Sequence, residues 1–193
     1  MNTLLIDTHA DFIFLAIYQN DKLIIEKEIT EKKDHSTLCF QTLIKLLSDA
    51  HAEIQDINDL IVVIGPGSFT GVRIGVTIAK TLAYTLKIPI RTMTSLELYL
   101  DTKIDKDSYL ALEEKNGYYI GKIEKNNIIE YTYLKKDEFS IFYKENKIYI
   151  CSKINKTMLA KYAHQKQPVN PHLVNPFYVK KIEVEKKWLE KQK

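Results

Sequence analysis

Short apolar runs alternate along the chain with two longer stretches of helical periodicity. Residues 3–7, 12–18 and 23–29 are apolar and rich in β-branched side chains, and the turn pair Asn20-Asp21 separates the last two. This pattern predicts a meander of antiparallel strands. From 36 to 50, Leu38, Cys39, Phe40, Leu43, Ile44, Leu46, Leu47 and Ala50 recur on one broad helical face, behind the N-cap candidates Asp34 and Ser36. Residues 60–64 are continuously apolar, as in a strand buried on both faces. Gly65-Pro66-Gly67 then turns into a second helix over 69–86, and 88–93 reads as a fifth strand. Three strands, helix, strand, helix, strand describe a mixed sheet with helical crossovers, an α/β half-domain.

A polar stretch, 101–107, separates this half from a partial repeat of it. Residues 109–113, 118–124 and 128–133 read as short strands joined by turns at Asn116-Gly117 and Asn126-Asn127. A further strand is expected at 147–151 and a short helix at 156–163, after which Pro168, Pro171 and Pro176 forbid regular helix. The expected organisation is therefore 1–100 as a complete half and 101–193 as a shortened one.

Composition narrows the class. With 193 residues, 45% hydrophobic and 27% charged, the chain is neither disordered nor a small stapled scaffold. No apolar run approaches the roughly 20 residues that span a bilayer, and Met1-Asn2-Thr3-Leu4 carries no basic start of a secretory signal. Cys39 and Cys151 lie far apart in unlike contexts and are read as reduced core residues. A soluble, cytoplasmic protein without membrane contact is expected. The net charge of +3 is mild for a dedicated nucleic-acid binder. Only Arg73 and Arg91 are arginines, so bidentate phosphate recognition is poorly served. The lysines gather late, at 180, 181, 186, 187, 191 and 193, beside Trp188, a candidate docking anchor in the tail.

The strongest local signal is Gly65-Pro66-Gly67-Ser68-Phe69-Thr70-Gly71-Val72-Arg73-Ile74-Gly75. It stands between a buried strand and a helix, where anions are often cradled. It is not a P-loop, since Val72 rather than lysine follows Gly71, and its glycine spacing is not the dinucleotide fingerprint. Along the helix, Gly71, Gly75, Ala79 and Ala83 form a stripe with little side chain, along which another backbone can approach. The apolar positions around them cover about 200° of arc at 3.6 residues per turn. One sheet covers nearer 100°, so a second surface is expected against this helix, supplied by a partner or by the chain's own other helix.

The Gly65–Gly75 block resembles the signature of the TsaB (YeaZ) family, the small partner subunit in bacterial synthesis of threonylcarbamoyladenosine on tRNA. Ile6-Asp7-Thr8, Asp34-His35-Ser36, Ile88-Pro89, Thr94-Ser95-Leu96 and the late Pro176, Tyr178, Val179 and Lys180 resemble other family segments in the same order. The resemblance implies two RNase-H-like halves of the actin and sugar-kinase superfamily, the second one shortened. It implies a non-catalytic scaffold that pairs with the catalytic subunit TsaD, recruits the ATPase TsaE, forms homodimers when alone and meets tRNA only indirectly. The pairing would use the two helices of the first half. The expected interface residues are Leu38, Phe40, Ile44, Leu47, Phe69, Gly71, Val72, Gly75, Ile78, Ala79, Leu82 and Ala83.

An enzyme of that superfamily needs a carboxylate and a glycine-lined phosphate loop in each half. Asp7 and Thr8 stand where the first loop would be, a vestigial cofactor position at most, because Thr8-His9-Ala10-Asp11 contains no glycine. Glu113 stands near the second loop and reads as a solvated strand end. No glycine follows Gly121 to contact an adenosine, the five histidines show no ligand pair at helical spacing, and Ser68 lacks the context of a nucleophile elbow. No cofactor and no metal are expected. A free-standing nucleotide-dependent phosphotransferase of the same fold is the alternative.

Overall fold

Strand β1 (Asn2–Asp7) forms the middle of the first sheet, and its apolar run is buried from Thr3 onward. It pairs antiparallel with β2 (Ile13–Gln19), which pairs antiparallel with β3 (Lys22–Ile29). The tight β2–β3 turn holds Asn20 and Asp21 at φ of 48° and 66°, the left-handed conformation that Asn and Asp tolerate. On the other side β1 pairs parallel with β4 (Asp59–Val63), and β4 with β5 (Ile90–Met93), giving the order β3-β2-β1-β4-β5. The structure, a computed structural model, describes residues 1–30, 35–100, 104 and 107–180.

The period of two along the strands sorts the core into two layers. Leu4, Ile6, Leu60, Val62 and Ile90 face α1 (His35–Asp49) and α2 (Phe69–Leu86), meeting Cys39, Leu43 and Leu46 of the first and Val72, Val76 and Ala79 of the second. Leu5, Ile61, Val63 and Met93 point to the opposite face, where Leu159, Ala160 and Ala163 of α4 (Leu159–His164) close it. Helix α2 begins where the Ser68 hydroxyl accepts from the Gly71 amide and ends at Lys87 in the left-handed region. Helix α1 starts at His35, so Ser36 is an exposed residue of its first turn rather than its cap, and Asp34 lies outside the described residues.

A second sheet repeats the plan with fewer parts. Strands β6 (Ser108–Glu114), β7 (Gly117–Glu124), β8 (Asn127–Lys135) and β9 (Ile148–Ile150) stand in the order β8-β7-β6-β9, with β6 and β9 parallel. Two features differ from the sequence expectation. The turns sit one residue earlier, because Gly117 and Asn127 already belong to strands, and Lys125-Asn126 carry the left-handed φ values. Helix α3 (Lys136–Glu145), which the sequence pattern did not suggest, crosses from β8 to β9. It packs Phe139 and Phe142 on Ala111, Ile120 and Tyr118, the Tyr118 and Phe139 rings stacking at 3.7 Å.

The compact units are Met1–Tyr99 with Lys153–Phe177, and Leu100–Ser152 with the chain from Tyr178. The expected division at residue 100 therefore misplaces 153–177, whose α4 completes the first core. Polar contacts tie this returning segment down. His164 bonds Asp21 at 2.5 Å through Nδ1 and the buried Asp59 at 2.9 Å through Nε2. Arg91 pairs with Asp59 as well and donates from Nε to the Lys166 carbonyl. The expected helix over 156–163 is broken into a 3-10 turn, Lys156–Met158, and α4. Both thiols are free, and burial pushes Cys39 up to about 11 and Cys151 up to about 12.

Replacing Asp59 by alanine strands Arg91 and His164 against the sheet edge. The expected loss is about 3–5 kcal/mol, as for other broken buried pairs, measured by urea unfolding. A loss below about 1 kcal/mol, typical of an exposed pair, counts against the clasp.

Candidate functional site: the hairpin-filled glycine turn

Ligands of open α/β sheets bind beyond the carboxyl ends of parallel strands. Here that place is formed by the turn after β1 and the Gly65–Ser68 turn after β4. The two turns lie on one another. The Ser68 amide donates to the His9 carbonyl at 2.6 Å, and the Thr8 hydroxyl donates to the Gly71 carbonyl at 2.7 Å. A Cβ at Gly67 would fall under 3.0 Å from the His9 carbonyl oxygen, one at Gly71 from that of Thr8, and one at Gly75 from the Thr8 hydroxyl. Gly65 has φ of +99°, and its carbonyl accepts from the Ser95 amide. The Ser95 hydroxyl donates to the Pro66 carbonyl at 2.6 Å.

The motif is thus occupied by its own chain. The Ser68 amide goes to the His9 carbonyl and the Gly71 amide to the Ser68 hydroxyl, while the Val72 amide makes the first regular helix bond to the Ser68 carbonyl. Asp7 is fully buried; its Oδ1 accepts from the His9 amide at 3.0 Å and bonds His9 Nδ1 at 2.7 Å. Its Oδ2 has no hydrogen-bond partner. Asp7 and Thr8 therefore hold the hairpin turn closed, with one carboxylate oxygen left over. Ser68 serves as a helix cap, and the His9 carbonyl, not its ring, meets it. Among the described residues no group of three His, Cys, Asp or Glu side chains could hold a metal ion.

In the second sheet Glu113 is exposed at its strand end, and the chemistry lies one residue on. Glu114 Oε2 accepts from Tyr133 Oη at 3.0 Å, from the Asn116 amide at 3.3 Å and from Lys180 Nζ at 2.7 Å. Burial pushes the Glu114 carboxyl up, but these donors outweigh it and hold it below the usual carboxylate range. Sequence reasoning passed over Glu114 because its partners are 19 and 66 residues away. The pairing of an acidic strand end with the late Lys180 was the available signal.

The expected interface residues divide. Gly71, Val72, Gly75, Ile78, Ala79 and Ala83 are buried in the chain's own first core, so the small-residue stripe admits the β1–β2 turn and the sheet rather than a partner helix. Leu38, Leu47 and Leu82 are half-buried against that core. Phe40, Ile44 and Phe69 remain on the surface, at 52%, 67% and 43% exposure, with the Arg73 guanidinium 3.8 Å over the Phe69 ring. Trp188 and the lysines beyond 180 lie outside the described residues.

Two α/β units, with a five-stranded sheet in the first and the order β8-β7-β6-β9 among the described residues of the second, define a mixed α/β protein of two similarly built halves. The family described as "TsaD: tRNA N6-adenosine threonylcarbamoyltransferase" matches residues 23–112. A Bacillus subtilis relative, "tRNA threonylcarbamoyladenosine biosynthesis protein TsaB", is 44% identical over 97 residues, 50% of this chain and 42% of the relative. A Buchnera aphidicola relative of the same name is 34% identical over 134 residues, 67% of this chain and 63% of the relative. The chain thus spans about half the length of the curated relatives it matches. In fold it is similar to YeaZ from Pseudomonas aeruginosa, with a TM-score of 0.69 at 15% identity over 92% of this chain and 99% of that one. A second Pseudomonas aeruginosa structure, described as similar to peptidase YEAZ, gives 0.72 at 14% identity over 93% and 99%. The chain belongs to the TsaB/YeaZ family. No helix among the described residues is long and apolar enough to cross a membrane.

Because the Thr8 carbonyl is backbone and cannot move aside, Gly71→Ala is expected to destabilise the monomer by about 1–3 kcal/mol, against a gain of at most about 1 kcal/mol from helix propensity. The melting temperature should fall by about 2–4 °C per kcal/mol for a chain of this size. Gly75→Leu, which a partner-facing stripe would tolerate in the monomer, is expected to lower it further. Scanning calorimetry of the two variants decides, and an unchanged transition for both removes the hairpin contact as the reason for the glycines.

Proposed function

We propose that the chain is a non-catalytic scaffold subunit of the machinery that makes threonylcarbamoyladenosine on tRNA, acting in the cytoplasm. It pairs with a TsaD-type catalytic subunit, recruits a TsaE-type ATPase, forms homodimers when alone and meets tRNA through those partners. The observation that carries the reading is the self-filled glycine turn. The Ser68 amide is bonded to the protein's own hairpin and the Gly71 amide to its own cap, and Thr8 and His9 lie against Gly67, Gly71 and Gly75, so admitting a nucleotide there would displace the β1–β2 turn. The names of its relatives supply the pathway.

The surface offered to the catalytic subunit is the outer side of α1 and α2. Phe40 and Ile44, one turn apart, and the Phe69–Arg73 pair put aromatic and guanidinium groups where interface anchors concentrate. Half-buried Leu38, Leu47 and Leu82 lie on the same two helices. The buried members of the expected set act indirectly, by setting how α2 lies on the sheet.

Asp7 Oδ2, buried without a partner, is the one feature that favours the alternative, a phosphotransferase in which that oxygen meets a cation. Two measurements separate the readings. Mixing the chain with a TsaD-type subunit should give a defined heterodimer by light scattering. A Phe40→Ala/Ile44→Asp variant, with its thermal transition unchanged, should lose about 30-fold in affinity or more, the cost of one interface hot spot of about 2 kcal/mol. The chain alone should not turn over ATP with magnesium. Turnover that persists through purification and vanishes in Asp7→Ala supports the phosphotransferase and overturns the scaffold.

A further inference from the structure

The second sheet carries a cation cage that neither the fold nor the proposed scaffold role requires. Tyr119 on β7 and Tyr133 on β8 stand side by side, ring centroids 5.2 Å apart. Glu114 at the end of β6 closes a third side and takes a hydrogen bond from the Tyr133 hydroxyl. Gly117 makes this arrangement possible, since a Cβ there would fall under 3.0 Å from both the Leu134 carbonyl oxygen and the Tyr133 hydroxyl. The ammonium of Lys180 fills the cage. It lies 2.7 Å from Glu114 Oε2, 4.0 Å from the Tyr133 centroid and 5.7 Å from that of Tyr119. A carboxylate and two aromatic faces around one ammonium combine a charge-assisted hydrogen bond with cation–π attraction. Three residues earlier, within the first unit, the Phe177 amide donates to the Ile64 carbonyl.

We propose that Lys180 is the buckle of a short strap: its ammonium, caged by Glu114, Tyr119 and Tyr133, holds residues 178–180 on the second sheet, and losing that charge releases them. The seat is specific for a cation. An aliphatic side chain of the same length keeps the stem contacts and loses both attractions, whereas arginine retains them. Burial draws the Lys180 amine down, but its bonds to Glu114 and Tyr133 outweigh that and raise it above the usual lysine value. The amine is therefore protonated, and a poor nucleophile, over the whole neutral range.

Two measurements on the full chain test the strap. In native protein pulsed with N-hydroxysuccinimidyl acetate at pH 8, Lys180 should acetylate about tenfold more slowly than the exposed Lys115 and Lys136, because the reagent needs a free, unpaired amine. Glu114→Gln should remove most of that protection. Amide hydrogen exchange at 178–180 should rise by about tenfold in Lys180→Met and stay near wild type in Lys180→Arg, with β1 and β4 unchanged in both. Should Lys180→Met unfold the second sheet, the acetylation rates in wild type still decide. Equal acetylation of Lys180 and Lys115, or unaltered exchange at 178–180 in a folded Lys180→Met, overturns the proposal.

Discussion

The backbone of Thr8 and His9 runs where the side chains of residues 67 and 71 would otherwise stand, and the Thr8 hydroxyl where that of residue 75 would. Everything at the carboxyl edge of the first sheet follows from this approach. It fixes the entry of α2, because Ser68 gives its amide to the hairpin and its hydroxyl to the helix start. It sets α2 close to β1, so that Val72, Val76 and Ala79 reach the strand residues Leu4 and Ile6. It also takes up the Ser68 amide, at a helix start where anions are often cradled. A glycine at a helix interior costs about 1 kcal/mol relative to alanine, and the hydrogen bonds and packing gained by the hairpin offset that cost at Gly71 and Gly75.

The two sheets answer their terminal carboxylates in the same way. Asp7 ends β1 and Glu114 ends β6, and β1 and β6 occupy equivalent places, each paired antiparallel with the next strand and parallel with a later one. Asp7 is met by His9 two residues on, and Glu114 by Tyr133 and Lys180. In each half the chain supplies from itself a hydrogen-bonding partner for the carboxylate, at Asp7 for one of its two oxygens only.

How much of this was legible in the sequence depends on the range of the interaction. The strands of the first half, α2 to the residue, and the Asn20-Asp21 turn are local patterns of period and turn chemistry, and they could be read directly. The glycine stripe was also visible, but its meaning was not. Small residues at every fourth position say that something approaches closely and are silent on what. The approaching group, Thr8, lies 63 residues from Gly71. Helix α3 escaped because its apolar positions, Phe139, Ile141, Phe142 and Tyr143, are crowded into one turn of a lysine- and glutamate-rich segment. The return of 153–177 and the Glu114–Lys180 contact rest on pairings more than 60 residues apart, which no local period encodes.

That return has a consequence for the order of events on the ribosome. Domains generally fold as they emerge, the first one first. Here the outer layer of the first unit, Leu159, Ala160 and Ala163, and the clasp residue His164 are translated after the strands and helix of the second. The unit that is synthesised first is therefore completed last. Until about residue 177 has left the exit tunnel, the nascent chain carries a five-stranded sheet with one naked apolar face, built from Leu5, Phe14, Ile61, Val63 and Met93. During that interval the open apolar face is the kind of transiently exposed surface through which unfinished chains aggregate.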